Sequence, residues 1–445
     1  MKSQDVSFYI ETLGCPKNIV DSRTMRGNLL INGFVEAKTP ENADLILINT
    51  CSFIKEAQET TIDTIFEAVR LKASNKNKKI GIVGCFSEQF AGSLENQIPE
   101  ADFFLGTRRY HEIAHVVSQK CSIELMPRLP GEKIHSRSRN EIINPYAYFR
   151  IAQGCSRKCA FCVIPAIRGS FEPYTIDHLK QQYEQEMSQR YETSNLREAI
   201  FVSQDTISTP EKDLRQFIEF FESLGHISWI RLHYLFPDKR IFDIIRMMSE
   251  YPKIVPYLDI PFQHISRSVL EAMNRPGDAG LFSEIIGHSL LSNPEMEIRT
   301  AFIIGFPGET DEDIEEAVRF IENNPVHKLA LFRYSHEEGT PAFQKSRDLI
   351  PDKVKAERMN YVREAHIKAR TALRSNLTGK KTLLMLDEVN PDEIIARRPQ
   401  DSPDIDEVVY LSTTPELDLK VGDMVEARLN TAMEYDWIGE IIAKC

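Results

Sequence analysis

Eight cysteines stand at positions 15, 51, 85, 121, 155, 159, 162 and 445. Three of them fall in one short loop, Gly154-Cys155-Ser156-Arg157-Lys158-Cys159-Ala160-Phe161-Cys162, at C-x3-C-x2-C spacing. Three thiolates this close together can wrap one Fe–S cube and leave its fourth iron without a protein ligand. A closed cluster or a structural zinc wants a fourth Cys or His nearby; the loop holds no His, so a zinc reading needs a distant partner. An even cysteine count also suggests disulfides, but that pattern suits short secreted chains, and a cytosolic thiol pool keeps such groups reduced.

Cys15, Cys51 and Cys85 are spaced too widely for a local motif, and one reading makes them scattered buried thiols. Their positions favour the other reading, a shared metal centre. Each follows an apolar run that reads as a strand: Ser7 to Thr12 before Cys15, Asp44 to Asn49 before Cys51, and Lys79 to Val83 before Cys85. In an open parallel sheet the carboxyl ends of the strands converge on one crevice, where residues far apart in sequence meet. Gly14 and Gly84 allow the backbone to approach closely there.

The elements that must position these groups can be read from periodicity. Strand-like runs alternate with amphipathic stretches at Asp21 to Asn32 and Ala57 to Leu71, the rhythm of a β-α-β sheet, so residues 1–120 are expected to form an open parallel-sheet domain. A stretch rich in Pro, Ser and Arg makes 121–144 a linker. Strand signals at Phe149 to Ala152, Ala199 to Val202, Ile230 to Tyr234, Val255 to Leu258, Glu297 to Ile304 and Lys328 to Phe332 give six strand-helix units. A complete eight-fold barrel usually needs about 250 residues, so a partial (βα)6 barrel is expected in 145–375, closed by a long exposed helix from Asp352 to Arg374. Residues 376–445 lose helical periodicity and show short alternating runs, as a small antiparallel β-barrel would. The fold class is therefore α/β with an appended all-β module.

The chain has 445 residues, 42% hydrophobic and 27% charged, which is ordinary globular material for about three domains. No stretch reaches the roughly 18 to 20 consecutive apolar residues of a membrane span, and Met1-Lys2-Ser3-Gln4-Asp5 is no signal peptide, so a soluble, cytoplasmic protein is expected. With 54 basic and 66 acidic residues the net charge is −12, which repels polyanions at long range.

The cysteine loop, with Phe161 directly before its last cysteine, resembles the signature of the radical S-adenosylmethionine (SAM) superfamily. Together with ETLGCPKNIVDSRTM, NTCSFI, GCFSE, PAIRG, YLDIPFQHIS, VLEAMNR and TAFIIGFPGET it resembles the methylthiotransferases over nearly the whole chain. The resemblance implies one [4Fe–4S] cluster on Cys155, Cys159 and Cys162, a second on Cys15, Cys51 and Cys85, and a C-terminal TRAM domain. It also implies insertion of a methylthio group at an unactivated C–H bond, with SAM as methyl donor and as source of a 5′-deoxyadenosyl radical. A carbon-bound hydrogen without acidity is out of reach of a tuned side-chain base, which is why such chemistry needs a radical. An electron donor such as a reductase or flavodoxin-like protein and a sulfur source are implied as partners.

Cofactor contacts carried over from the resemblance are Phe161, Gln204 and Asp205 at the barrel mouth, Arg299 against the SAM carboxylate, and Gly305 along the adenine. Gln204, Asp205 and Arg299 can equally be structural. A lone His264 reads as a residue that fixes its loop. Thr310 with Asp313 reads as a capping box, which assigns the acidic stretch after Gly308 to helix chemistry.

The family divides into enzymes acting on a tRNA adenosine and enzymes acting on an aspartate of the small-subunit ribosomal protein S-twelve, modified at its β-carbon. Residues 376–445 hold 7 basic and 15 acidic residues, a net of −8. An RNA-reading module wants the opposite sign, so a basic ribosomal protein is the expected substrate and tRNA the alternative. The Pro16-Lys17 pair and the segment from Arg397 to Asp406 resemble the ribosomal branch. Cys121 and Cys445 match no cysteine of the pattern.

Overall fold

The computed structural model describes residues 2–127, 144–190, 195–412 and 417–445. Five parallel strands, β1 (Ser7–Thr12), β2 (Val35–Glu36), β3 (Leu45–Thr50), β4 (Lys79–Gly84) and β5 (Phe103–Leu105), form the first sheet in the order β2-β1-β3-β4-β5. Both faces are covered, so β3 is apolar throughout rather than alternating. Leu45 and Leu47 meet the helices Pro16–Ile31 and Ile113–Cys121, while Ile46 and Ile48 join Ile80 and Ile82 against the helix Lys55–Ser74. The first helix begins five residues before the expected Asp21, because Cys15 serves as its N-cap and Pro16 occupies the first turn, where the missing N–H costs nothing. Most of the expected linker, 128–143, lies outside the described residues.

The second unit opens with β6 (Tyr146–Arg150), followed by a short antiparallel ribbon of β7 (Ala152–Gln153) and β8 (Glu172–Pro173). Five more parallel strands follow: β9 (Glu198–Val202), β10 (Trp229–Leu232), β11 (Tyr257–Asp259), β12 (Glu297–Ile304) and β13 (Lys328–Arg333). They form two three-stranded sheets, β6-β9-β10 and β11-β12-β13, joined by a parallel bridge between Ile230 and Ile254. The result is the expected partial barrel of six strands in chain order. Phe149, Phe201, Ile230, Leu258, Ile298 and Phe302 pack outward into the main core under the helices. Their alternate neighbours, Tyr148, Arg150, Arg231, Asp259 and Arg299, turn to the other face and make it polar.

The third unit is a closed barrel of β14 (Lys381–Val389), β15 (Glu393–Arg397), β16 (Val409–Ser412), β17 (Met424–Ala432) and β18 (Trp437–Lys444), in the order β14-β15-β16-β18-β17. Four pairings are antiparallel as expected, and β16 with β18 is parallel. The strand β15 was not foreseen: Glu-Ile-Ile-Ala-Arg carries no clean two-residue alternation. The long helix Asp352–Ser375 packs on β13 and turns Arg370 and Arg374 to the backbone carbonyls of Met433 to Asp436.

The connection from β15 to β16 reaches into the polar face of the larger barrel. Arg397 donates to Glu198 at 2.8 Å, Arg398 to Glu297 at 2.7 Å, and Ser402 Oγ lies 2.9 Å from His233 Nε2. Asp401 pairs with Lys328, and Tyr146 and Tyr257 donate to Asp404 and Asp406. Tyr146, Glu198, Tyr257, Glu297 and Lys328 are each the first residue of their strand, so the small barrel sits at the strands' amino ends. The cysteine loops lie at the opposite ends. This corrects the premise that the charge of 376–445 faces the substrate as a whole, since Asp401 and Glu407 are buried against barrel and helix cations. No helix among the described residues is long and apolar enough to cross a membrane.

Candidate active site

In the first sheet β1, β3 and β4 are direct neighbours, and Cys15, Cys51 and Cys85 follow their carboxyl ends. Cys51 directly follows β3, and Cys85 follows β4 and opens the short helix Cys85–Gln89. Gly14, at φ +90°, leaves room for Cys51: a Cβ there would stand 2.8 Å from Cys51 Sγ. The buried Arg168, from the barrel loop after the second cysteine group, enters this crevice. Its Nη2 donates to Asn18 Oδ1 at 2.7 Å, Asp21 Oδ2 at 2.9 Å and Cys85 Sγ at 3.3 Å, while its Nη1 has no partner.

The three thiols differ in acidity. Burial raises Cys15, but the charges of Lys17 and Arg168 and the N–H groups of Lys17 and Asn18 outweigh it and leave its pKa below the ordinary thiol value. Burial raises Cys51, and pushes Cys85 up to about 11 despite the Arg168 charge. A buried guanidinium with a free N–H beside three thiols fits a group that gathers thiolates.

The second trio hangs on the loop after β6. Gly154, at φ +71°, starts it where a Cβ would strike Ser170 O at 2.1 Å. Arg157 and Arg275 clamp the loop by stacking on Phe236, 3.8 and 4.3 Å from its ring centre. Arg157 donates to Asp205 and Asp238 at 2.7 and 2.8 Å; Arg275 reaches Cys159 Sγ at 3.6 Å, and its Nε is unpartnered. Burial raises Cys155 and pushes Cys162 up to about 12. No group of three or more His, Cys, Asp and Glu side chains among the described residues closes on a single-ion site.

The two loops touch. Val163, next to Cys162, and Ile167 pack on Cys85 in one small buried cluster. From the other side Lys17, two residues after Cys15, lays its ammonium 3.3 Å from the centre of the Tyr234 ring. Burial lowers the Lys17 pKa, with the Cys15 thiolate opposing. Tyr234 stands two residues before Phe236, so a single loop after β10 runs from the first trio to the second.

Of the expected cofactor residues, Gln204 and Asp205 lie at the carboxyl end of β9; both amide atoms of Gln204 and Oδ1 of Asp205 are buried without partners, as a site for a polar ligand requires. Phe161 is half-buried between two apolar clusters. Gly305 takes φ +86° against the Lys355 stem and donates to Glu309 at 2.8 Å.

Arg299 is engaged by two carboxylates. Its guanidinium is held by Asp259 at 3.0 Å and by Asp406 of the small barrel at 3.3 Å, so its charge is already matched and it ties the two barrels together. His264 accepts from the Ser266 N–H at 3.0 Å and so fixes its loop. Thr310 and Asp313 form the expected capping box. Sequence reasoning missed Arg157, Arg275 and Phe236, although Arg157 lies inside the triplet and Arg275 ends VLEAMNR.

Known proteins give the site its context. Residues 149–321 match the model of the Radical SAM superfamily, 7–106 that of the Uncharacterized protein family UPF0004, and 378–442 that of the TRAM domain. The radical SAM methyltransferase TsrM from Kitasatospora setae, solved with cobalamin and a [4Fe-4S] cluster bound, shares the fold at a TM-score of 0.54 and 11% identity over 77% of each chain. Fold and cysteine loop together define a radical SAM enzyme. The chain is 38% identical to the ribosomal protein uS12 methylthiotransferase RimO of Leptospira biflexa serovar Patoc over 97% of this chain and 96% of the relative. It is 35% identical to RimO of Sulfurihydrogenibium sp. (strain YO3AOP1) over 99% and 100%, and 33% identical to that of Anaeromyxobacter sp. (strain K) over 98% and 93%. The chain belongs to the methylthiotransferase family of these relatives and is a transferase of the radical SAM class.

Proposed function

We propose that the protein inserts a methylthio group at the β-carbon of an aspartate of the small-subunit ribosomal protein S-twelve. In this reading Cys15, Cys51 and Cys85 hold one [4Fe–4S] cluster, and Cys155, Cys159 and Cys162 another. These clusters and SAM would supply, when bound, the methyl group, the sulfur-bearing metal and the one-electron chemistry that the unactivated C–H bond demands. The observation that supports the reading is the packing of Cys85, from the first trio, on Val163 and Ile167 of the segment that follows the second.

The chain's own groups have separable tasks. Arg168 balances thiolate charge at the first trio and anchors the barrel loop to the sheet domain through Asn18 and Asp21. Arg157 and Arg275 orient the second trio by fixing its loop on Phe236. Gln204 and Asp205, with unpartnered buried atoms, hold the polar end of SAM or the substrate backbone. Phe161 and the Gly305 turn shape the apolar side of the same pocket. The small barrel closes the floor of the larger one through the segment after Arg397, which leaves the cysteine end as the entrance.

The test offers the reconstituted enzyme the ribosomal protein and, separately, tRNA, and weighs both. A gain of one methylthio mass on the ribosomal protein, placed on an aspartate by fragmentation, is expected. Gain on tRNA alone would overturn the reading and favour an adenosine substrate.

A further inference from the structure

Six cations line the polar interior of the barrel and its cysteine end. Arg150 and Arg168 pair with Asp21, Arg157 with Asp205 and Asp238, and Arg299 with Asp259 and Asp406; Arg275 donates to the Pro261 carbonyl at 2.6 Å. Lys17 is different. It is 7% exposed, and among the described residues its ammonium donates no hydrogen bond and makes no ion pair; its contact is the face of Tyr234. An ammonium on a side chain this far buried, faced by a ring and reached by the Cys15 and Asp259 charges only at longer range, keeps N–H groups without an acceptor, and such a group calls for an anion.

The surroundings say where that anion would stand. Lys17 rises from the first turn of the helix that Cys15 caps. Tyr234 is held beneath it at φ +58°, a left-handed conformation that a bulky residue adopts only when its neighbours impose it. Here the Tyr234 N–H donates to Asp259 at 3.0 Å and its carbonyl accepts from Thr206 N–H at 3.2 Å. Two residues on, Phe236 carries the arginine that reaches Cys159. The ammonium is thus fixed between Cys15 and the loop that serves the second trio, where a side chain reacting with both would pass.

We propose that Lys17 determines substrate specificity by receiving the carboxylate of the residue being modified. The proposal rests on the aspartyl substrate of the preceding reading and deepens it: one charge-assisted hydrogen bond would hold the carboxylate and so place the adjacent β-carbon. It also explains why this one cation makes neither a hydrogen bond nor an ion pair among the described residues while its neighbours make at least one.

The test uses the reconstituted holoenzyme and two peptides, one spanning the target aspartate of the ribosomal protein and one with asparagine in its place. Binding and methylthio product are measured for the unsubstituted protein and for Lys17→Gln, Lys17→Met and Lys17→Arg. No carboxylate ion pair is broken by these substitutions and Arg168 still faces Cys15, so the variants are expected to fold, and iron content is measured beside activity to separate cluster loading from specificity. The unsubstituted enzyme is expected to prefer the aspartyl peptide by about tenfold or more. In Lys17→Gln and Lys17→Met that preference falls toward one, chiefly through KM, and Lys17→Arg keeps most of it. An aspartyl preference that survives Lys17→Gln, or that falls only in step with lost iron, would overturn the role of Lys17 alone. Modification of tRNA and of neither peptide by the unsubstituted enzyme would overturn both this proposal and the reading beneath it.

Discussion

The two thiol trios are positioned by opposite routes. Cys155, Cys159 and Cys162 lie on one loop, and local chain geometry alone brings them together. Cys15, Cys51 and Cys85 come from three segments and share one end of the sheet only because β1, β3 and β4 are neighbours in it. The first arrangement depends on a loop clamp, Arg157 and Arg275 on Phe236; the second depends on the fold of a whole domain and on one imported cation, Arg168. A local site is robust to distant change, whereas an assembled one is sensitive to every element that sets strand order.

The largest expected effect breaks the barrel trio. Changing Cys155, Cys159 and Cys162 together to Ala should abolish SAM cleavage and product alike, measured by chromatography of 5′-deoxyadenosine and by peptide mass, while the sheet domain retains its iron. Next comes the imported cation. Arg168→Gln removes one partner of a fully buried ion pair and leaves Asp21 with Arg150 alone, so it should cost roughly 3 to 5 kcal/mol in urea unfolding. Arg157→Gln, whose side chain is about a quarter exposed, should cost roughly 1 kcal/mol. Equal costs would mean that the two sites are supported alike.

A smaller effect separates the two glycine entries. An alanine at Gly154 meets backbone oxygen, and one at Gly14 meets the Cys51 side chain, so both are strained at positive φ but Gly154→Ala should be the worse, by about 1 kcal/mol over a common loss of roughly 1 to 3. The smallest effect is chemical. Without iron, Cys15 has a depressed pKa while Cys85 sits near 11, so as pH rises from 7 the Cys15 thiolate forms first. Alkylation at pH 8 followed by peptide mapping should label Cys15 at least roughly tenfold faster than Cys85. Faster labelling of Cys85 would contradict the electrostatics assigned to Arg168 and Lys17.

The same contrast explains what could be read from the sequence. The C-x3-C-x2-C loop announces itself because its geometry is local. The expectation for the first trio rests on an inference about sheets, that residues following neighbouring strands share one end of the sheet, and the adjacency of β1, β3 and β4 is what the structure adds. The six barrel strands were legible because each buries one continuous apolar face. The ion pairs of Arg299 were not legible, because its strand position is readable but nothing in the sequence reveals Asp406, which comes from a different barrel. The charge of the TRAM segment was likewise overcounted, since sequence sums cannot separate Asp401 and Glu407, which face inward, from carboxylates that face solvent. Lys17 was visible only as part of a motif; its lack of a carboxylate ion pair among the described residues is a property of the folded cavity.

In the proposed function two separate trios divide the work, one carrying SAM cleavage and the other the sulfur. The most direct measurement combines Cys15→Ala, Cys51→Ala and Cys85→Ala in one reconstituted protein and determines iron, 5′-deoxyadenosine and product mass together. Iron falling from about eight to about four per chain, with SAM still cleaved and no methylthio product, is the predicted result. Unchanged iron, or methylthio product from that variant, would contradict it.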